Sequence, residues 1–301
     1  MKKYVDVYKQ CMYSAIQTAS AYRMNFIVSS LITLIGNILF PLVTLLIYRA
    51  GTSFPGWSLY EVLLIQSIFT MSSGLSSLVF GGLLWTTMSH VREGSFEVIL
   101  LKPLNPLFYI VATTFSVESV GLFLGGAALF IFSAMHIGAI SALAWLQFTG
   151  MFLAGTAVLA GLSLMMAAMS FKWVGNSRIS ELADSVLHVG KYPLPIFPKA
   201  VQAAATLIIP VGMVGYLPAS ALLGRVQAAD FIAILPCFVF LWAGIWVYRH
   251  MIRLYEGGWR LMPVIDVKHL TKSYTTYKRG AGMKQTFTSF FSGVKQSLSR
   301  P

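Results

Sequence analysis

The residue types that carry chemistry in enzymes occur in this chain, but never in a working arrangement. Its five histidines, at 90, 136, 188, 250 and 269, are scattered, and no pair has metal-ligand spacing. There is no G-x-S-x-G. The sole Gly-Lys pair is Gly190-Lys191. Ser185 stands where a P-loop needs its first glycine, and Tyr192 where it needs a serine or threonine, so the phosphate cradle is missing. The chain is not expected to hydrolyse ATP itself or to hold a metal. Cys11 precedes the first long apolar run and Cys237 lies inside the last, so two free thiols are expected. What remains is one acid, Glu118, deep in an apolar run, and two polar stripes. One stripe has Ser30, Thr33, Asn37 and Thr44. The other has Gln66, Thr70, Ser73, Ser77 and Gly81. Spacings of three and four put each set on one helical face, where small and hydroxylated residues let helices pack closely or line a translocation path. Gly121 and Gly125 make a single GxxxG. Glu118 is a candidate to bind a cationic group or carry a proton. The alternative is a neutral acid hydrogen-bonded to Asn37 or Gln66.

These residues sit in a chain that must be built for lipid. Of 301 residues, 56% are hydrophobic and 11% charged, against about 25% charged in a soluble domain. Mean hydropathy is +0.72. A soluble enzyme, a disordered chain and a disulfide-stapled secreted domain are excluded. Six apolar runs, approximately 26–48, 62–85, 107–134, 143–171, 199–223 and 231–249, are each long enough to cross a bilayer as a helix. Open strands cannot cross lipid and the alternation of a barrel is absent, so an all-α, six-span polytopic membrane protein is expected. With the N-terminus placed in the cytoplasm, every one of the 22 Lys and Arg except Arg49 and Arg225 falls on the cytoplasmic side. Both termini are therefore expected there, with segment 172–199, carrying Lys191 and Lys199, as a cytoplasmic connection.

The connecting segments have their own patterns. Residues 1–23 place Val5, Tyr8, Met12, Ile16 and Ala19 at helical spacing, which reads as an amphipathic helix lying in the membrane interface. The basic start and the run from Met24 read as a retained signal anchor. Between the second and third runs, Ser95 is a plausible N-cap. Glu97 would sit in the first turn, Lys102 in the last, and Pro103 would end the helix. Phe96, Ile99 and Leu100 would share its face. Such a helix either docks a soluble partner or merely connects two spans. Pro193, Pro195 and Pro198 forbid a regular helix before the fifth run. Pro210 and Pro218 break that run twice, which favours a helix or re-entrant pair buried in protein.

Two of these stretches resemble a known family. Arg92-Glu93-Gly94-Ser95-Phe96-Glu97, continuing through Ile99 and Leu100 to Lys102-Pro103-Leu104-Asn105-Pro106, is similar to the connecting loop of bacterial type-2 ABC exporter permeases. The run Tyr192-Pro193-Leu194-Pro195-Ile196-Phe197-Pro198 resembles the Pro-rich entry to their fifth span, and Pro210 to Arg225 continues that pattern. The resemblance covers roughly 1–260. It implies a permease half of the bacterial inner membrane, without an ATPase site of its own. Such a half pairs with a second permease, alike or different, and is driven by a cytoplasmic ABC ATPase dimer that holds ATP and Mg. It also implies that the helix from Ser95 to Lys102 is the docking element, with the N-terminal helix as a second contact.

Residues 263–301 depart from that pattern. Val264, Val267, Leu270, Lys272 and Tyr274 resemble the first strand of an ABC ATPase, which implies a fusion stub or a frame-disrupted neighbour. The plain alternative is a basic tail binding anionic lipid. The net charge of +12 divides evenly between residues 1–262 and this tail. The first half is the orienting signal of a membrane protein, so nucleic acid drops out as a partner. Other functional classes fit less well. An ion-coupled secondary transporter would have Glu118 alone as its coupling site. A lipid-modifying enzyme needs a cluster of acids, histidines or metal ligands that the sequence lacks.

Overall fold

The computed structural model describes residues 2–173 and 178–255. Residues 263–301, expected to resemble the start of an ABC ATPase, lie outside them. Among the described residues every regular element is helical. Helix α1 (Lys2–Ala21) leads almost directly into α2 (Arg23–Arg49), with the Phe26 amide bonded to the Tyr22 carbonyl at 3.1 Å. Next come α3 (Leu59–Phe80), α4 (Leu83–Arg92), α5 (Phe96–Leu100), α6 (Pro106–Thr113) and α7 (Ser119–Ala134). The chain continues with α8 (Ala142–Met169), α9 (Arg178–Val189), α10 (Lys199–Ala203), α11 (Tyr216–Leu222) and α12 (Ile234–Leu254). Several starts follow local chemistry. Ser58 and Glu61 form a reciprocal capping box at α3. Asn105 caps α6 with Pro106 in its first turn, and Ser141 caps α8.

Four stretches are long and apolar enough to cross a membrane: Arg23–Arg49, Leu59–Arg92, Ala142–Met169 and Asp230–Leu254. The second bends at Gly81-Gly82, where α3 gives way to α4. The run 107–134 is not one helix. It breaks between α6 and α7. There the Thr113 hydroxyl donates to the Tyr109 and Ile110 carbonyls, each at 3.0 Å, and the Thr114 hydroxyl to the Val111 carbonyl at 3.4 Å. These bonds compete with the helical ladder. The Ser116 amide bonds instead to the Leu78 carbonyl of α3 at 3.0 Å, which fixes the break against its neighbour.

The run 199–223 is likewise not a spanning helix. It folds as α10, a π turn over Ala204–Ile208, a 3-10 turn over Val211–Met213, and α11. Each proline stands at or near the start of a turn. Pro193 precedes the turn Leu194–Ile196, which contains Pro195. Pro198 precedes α10, Pro210 precedes Val211–Met213, and Pro218 lies in the first turn of α11. Their missing amides fall where no helical bond is due. Most of α11 is buried.

Close helix contacts depend on glycine. A Cβ on Gly126 of α7 would lie 2.7 Å from the Met71 amide nitrogen, and one on Gly74 of α3 would lie 2.6 Å from that of Phe123. The two backbones therefore touch at a distance only glycine permits. Helices α8 and α12 meet the same way at Gly161 and Gly244. Gly121 and Gly125 face α2 less tightly, against Ser30 and Leu34. The polar stripes accordingly serve packing in part.

Aromatic contacts mark two ends of the bundle. At one end Phe96 meets Phe171 and Tyr255. At the other, Trp57 packs on Tyr216, Tyr60 stacks on His136, and Arg225 pairs with Glu61 over the Trp57 ring. Segment 172–199 does not stay at the first end. Helix α9 carries the chain inward until Lys191 lies over Phe40 and Phe69, and Tyr192 meets Phe54 of the α2–α3 loop. Lys191 therefore does not lie on the cytoplasmic connection expected for segment 172–199, but inside the bundle. A short helix with Glu181, Asp184 and His188 on it gives no hydropathy signal, although it runs through the bundle.

Candidate functional site

The loop between α4 and α5 turns on Gly94, whose φ of +71° suits a residue without Cβ. Helix α5 is one turn long, and its chemistry differs from the expected helix in three ways. Ser95 precedes it without a side-chain cap. Its hydroxyl lies 2.7 Å from His90 Nδ1 instead, tying the turn back to α4. Lys102 falls beyond the helix end, with Nζ 3.8 Å from the centre of the Tyr109 ring and hydrogen-bonded to its hydroxyl. Leu100 does not share the buried face, being 40% exposed, whereas Phe96 is fully buried and Ile99 nearly so.

Phe96 is the anchor. Its ring meets Phe171, just past α8, edge-on at 4.8 Å, and Tyr255, just past α12, at 5.2 Å. Phe171 in turn packs against Tyr248 of α12 at 5.5 Å, and the Tyr248 hydroxyl lies 3.1 Å from that of Thr87 in α4. Edge-to-face pairs of this kind each add about 0.5–1.5 kcal/mol beyond burial. The opposite side of the loop is open. Arg92, Glu93, Val98, Leu100 and Leu101 are exposed, Leu101 by 85%. One short element thus joins an open, partly apolar surface to the ends of three long helices.

A cavity of about 530 Å³ lies between α2, α3, α4, α8 and α9. Asn37, Ser73, Ser77 and Gly81 of the two polar stripes line it. Gln66 and Thr70 do not. Gln66 is buried, donates from Nε2 to Thr44 Oγ1 at 2.7 Å, and leaves Oε1 unpartnered among the described residues. The Thr70 hydroxyl donates to the Gln66 carbonyl. Gln66 therefore ties α3 to α2, while the bond of Thr70 stays within α3.

Glu118 stands apart. It sits at the break before α7 and bonds neither Asn37 nor Gln66. It lines a separate groove of about 730 Å³ with Gln10, Ser14 and Asn25 of the N-terminal helices. The spacing rule missed Asp184, His188 and Lys191, which line the first cavity from α9 and the turn after it. Their separation of four and three residues was a usable signal, hidden because the segment reads as a polar connection.

Helix α1 packs on α6 through Tyr4 against Phe108 at 4.8 Å, and Tyr8 meets Phe115 at 6.4 Å. The expected apolar stripe divides: Tyr8, Met12 and Ala19 are half-buried, while Val5 and Ile16 are exposed. Among the described residues no group of three or more His, Cys, Asp or Glu is placed to hold a metal ion.

No curated protein and no solved structure matches the chain. A family model described as ABC-2 family transporter protein matches residues 31–258, which include α5, the cavity, the proline-rich turns and both polar stripes except Ser30. The chain belongs to that family and is a multi-pass membrane permease subunit of an ABC transporter.

Proposed function

We propose that the chain is half of an ATP-driven export pathway in the bacterial inner membrane, and that the loop around α5 receives a separate ABC ATPase dimer. The observation that carries this reading is the burial of Phe96 beneath an exposed, partly apolar surface. A partner pressing on Val98, Leu100 and Leu101 would move Phe96, and through it the ends of α8 and α12. Closure of the ATPase on ATP then favours one arrangement of the permease, and hydrolysis releases it. ATP and Mg belong to the partner. A second permease, identical or different, completes the pathway. Both termini lie in the cytoplasm, where α1 offers a second contact.

The test is co-expression with ABC ATPases encoded beside this gene, followed by purification and reconstitution. Val98→Asp and Leu101→Asp place charges on the exposed apolar surface without touching the anchor. Both are expected to fold normally and to lose the ATPase. Retention of a stoichiometric, ATP-responsive complex by both variants would remove α5 as the docking element.

A further inference from the structure

The cavity holds a cation that no carboxylate pairs among the described residues. We propose that it binds the anionic headgroup of an amphiphile, with Lys191 supplying the counter-charge. The proposal rests on the chain being a transport subunit and adds the chemical class of what enters it.

The Lys191 ammonium lies 3.7 Å from the centre of the Phe40 ring and 5.2 Å from that of Phe69. Two aromatic faces hold the charge in place without neutralising it. Among the described residues the one ion pair is Arg225 with Glu61, elsewhere in the molecule. The position is fixed by backbone contact. A Cβ on Gly190 would lie 2.7 Å from the Val211 carbonyl and 3.2 Å from the Phe69 ring of α3, and one on Gly215 would lie 2.8 Å from the Gly190 carbonyl, so the turn bearing Lys191 is held between the Val211–Gly215 stretch and Phe69. In such low-dielectric surroundings an unpaired cation attracts an anion far more strongly than it would in water.

The rest of the lining matches an amphiphile. Asn37 and Ser73 lie one helical turn from Phe40 and Phe69, so polar groups flank the ammonium. Beyond them Leu84, Trp85, Leu159, Leu162 and Met166 form the apolar part of the wall, with the hydroxyls of Ser76, Ser77 and Ser163 set among them. About 530 Å³ suits a small amphiphilic molecule. The other titratable groups lining the cavity are His188, whose ring is tilted against that of Phe40 at 5.0 Å, and Asp184, one helical turn earlier in α9. Asp184 weakens the positive field and disfavours a second negative charge on the ligand, which points to a single headgroup at the Lys191 end.

The test is binding to the full chain in neutral maltoside micelles. The probe is a fluorescent dodecyl methyl phosphate diester, which carries one negative charge, with a dodecyltrimethylammonium analogue and inorganic phosphate as competitors. The anionic probe is expected to bind, and neither competitor to displace it at equal concentration. Lys191→Gln is expected to weaken binding at least tenfold, and Lys191→Arg to retain most of it. Asp184→Asn is expected to strengthen binding several-fold, and it decides the matter if Lys191→Gln does not fold. Unchanged affinity in Lys191→Gln or in Asp184→Asn, displacement by the cationic analogue, or equal displacement by inorganic phosphate would overturn the proposal. No ATPase is present in this assay, so its failure leaves docking at α5 standing. Loss of docking likewise leaves this binding standing.

Discussion

At the scale of single residues, Phe96 and Gln66 show two ways of joining helices. Phe96 is an apolar plug. Phe96→Ala is expected to destabilise the fold by about 3–5 kcal/mol through lost burial and the cavity left behind, read as a lowered unfolding midpoint. Leu101→Ala, on an exposed side chain, is expected to change stability by no more than about 0.5 kcal/mol. Gln66 is a polar tie. Thr44→Val would strand its buried Nε2 beside an Oε1 that already lacks a partner, at a cost of about 1–3 kcal/mol. Adding Gln66→Leu to that variant is expected to recover most of the loss, because both partners then become apolar; no recovery would mean the hydrogen bond is not the cause. The sequence drew attention to Glu118 because an acid in an apolar run is conspicuous. It passed over Lys191 because a lysine among prolines looks like a loop. The difference is tertiary: a break in one helix moved the acid aside, and a short amphipathic helix carried the lysine inward.

At the scale of elements, the hydropathy of long runs was a sound guide where the backbone stays regular. The runs 26–48, 62–85, 143–171 and 231–249 all became long helices. It failed at 107–134, because averaged hydropathy cannot register a break near Thr114 that is fixed by the bond from the Ser116 amide to the Leu78 carbonyl of α3. The irregularity of 199–223 was readable from its prolines. The GxxxG at Gly121 and Gly125 pointed to the right helix but not to its tightest contact, since the partner surface is invisible in one sequence. Gly126→Ala is therefore expected to separate α7 from α3 and lower the unfolding midpoint by the equivalent of about 1–3 kcal/mol. Gly121→Ala, whose Cβ would lie 3.4 Å from that of Ser30, is expected to be tolerated. Equal effects at the two positions would contradict the packing described for α3 and α7.

At the scale of the whole molecule, the family, the helical class and the absence of a P-loop were legible from two motifs and a charge pattern. The interior was not, because the cavity is made by five elements distant in sequence. With Lys191 inside the bundle, Arg92, Lys102 and Lys172 remain near the Phe96 end, and the proposed orientation rests on them. In a cysteine-free background, Leu101→Cys is expected to react with an impermeant thiol reagent only in inside-out vesicles, and Thr52→Cys only in right-side-out cells. The reverse pattern would invert the topology. The central claim is that force enters through α5. It is tested most directly by the ATP hydrolysis rate of the partner ATPase, reconstituted with this permease and with its Leu101→Asp variant. The expected result is that the intact permease changes the hydrolysis rate and the folded variant does not. An identical change with both would contradict the account.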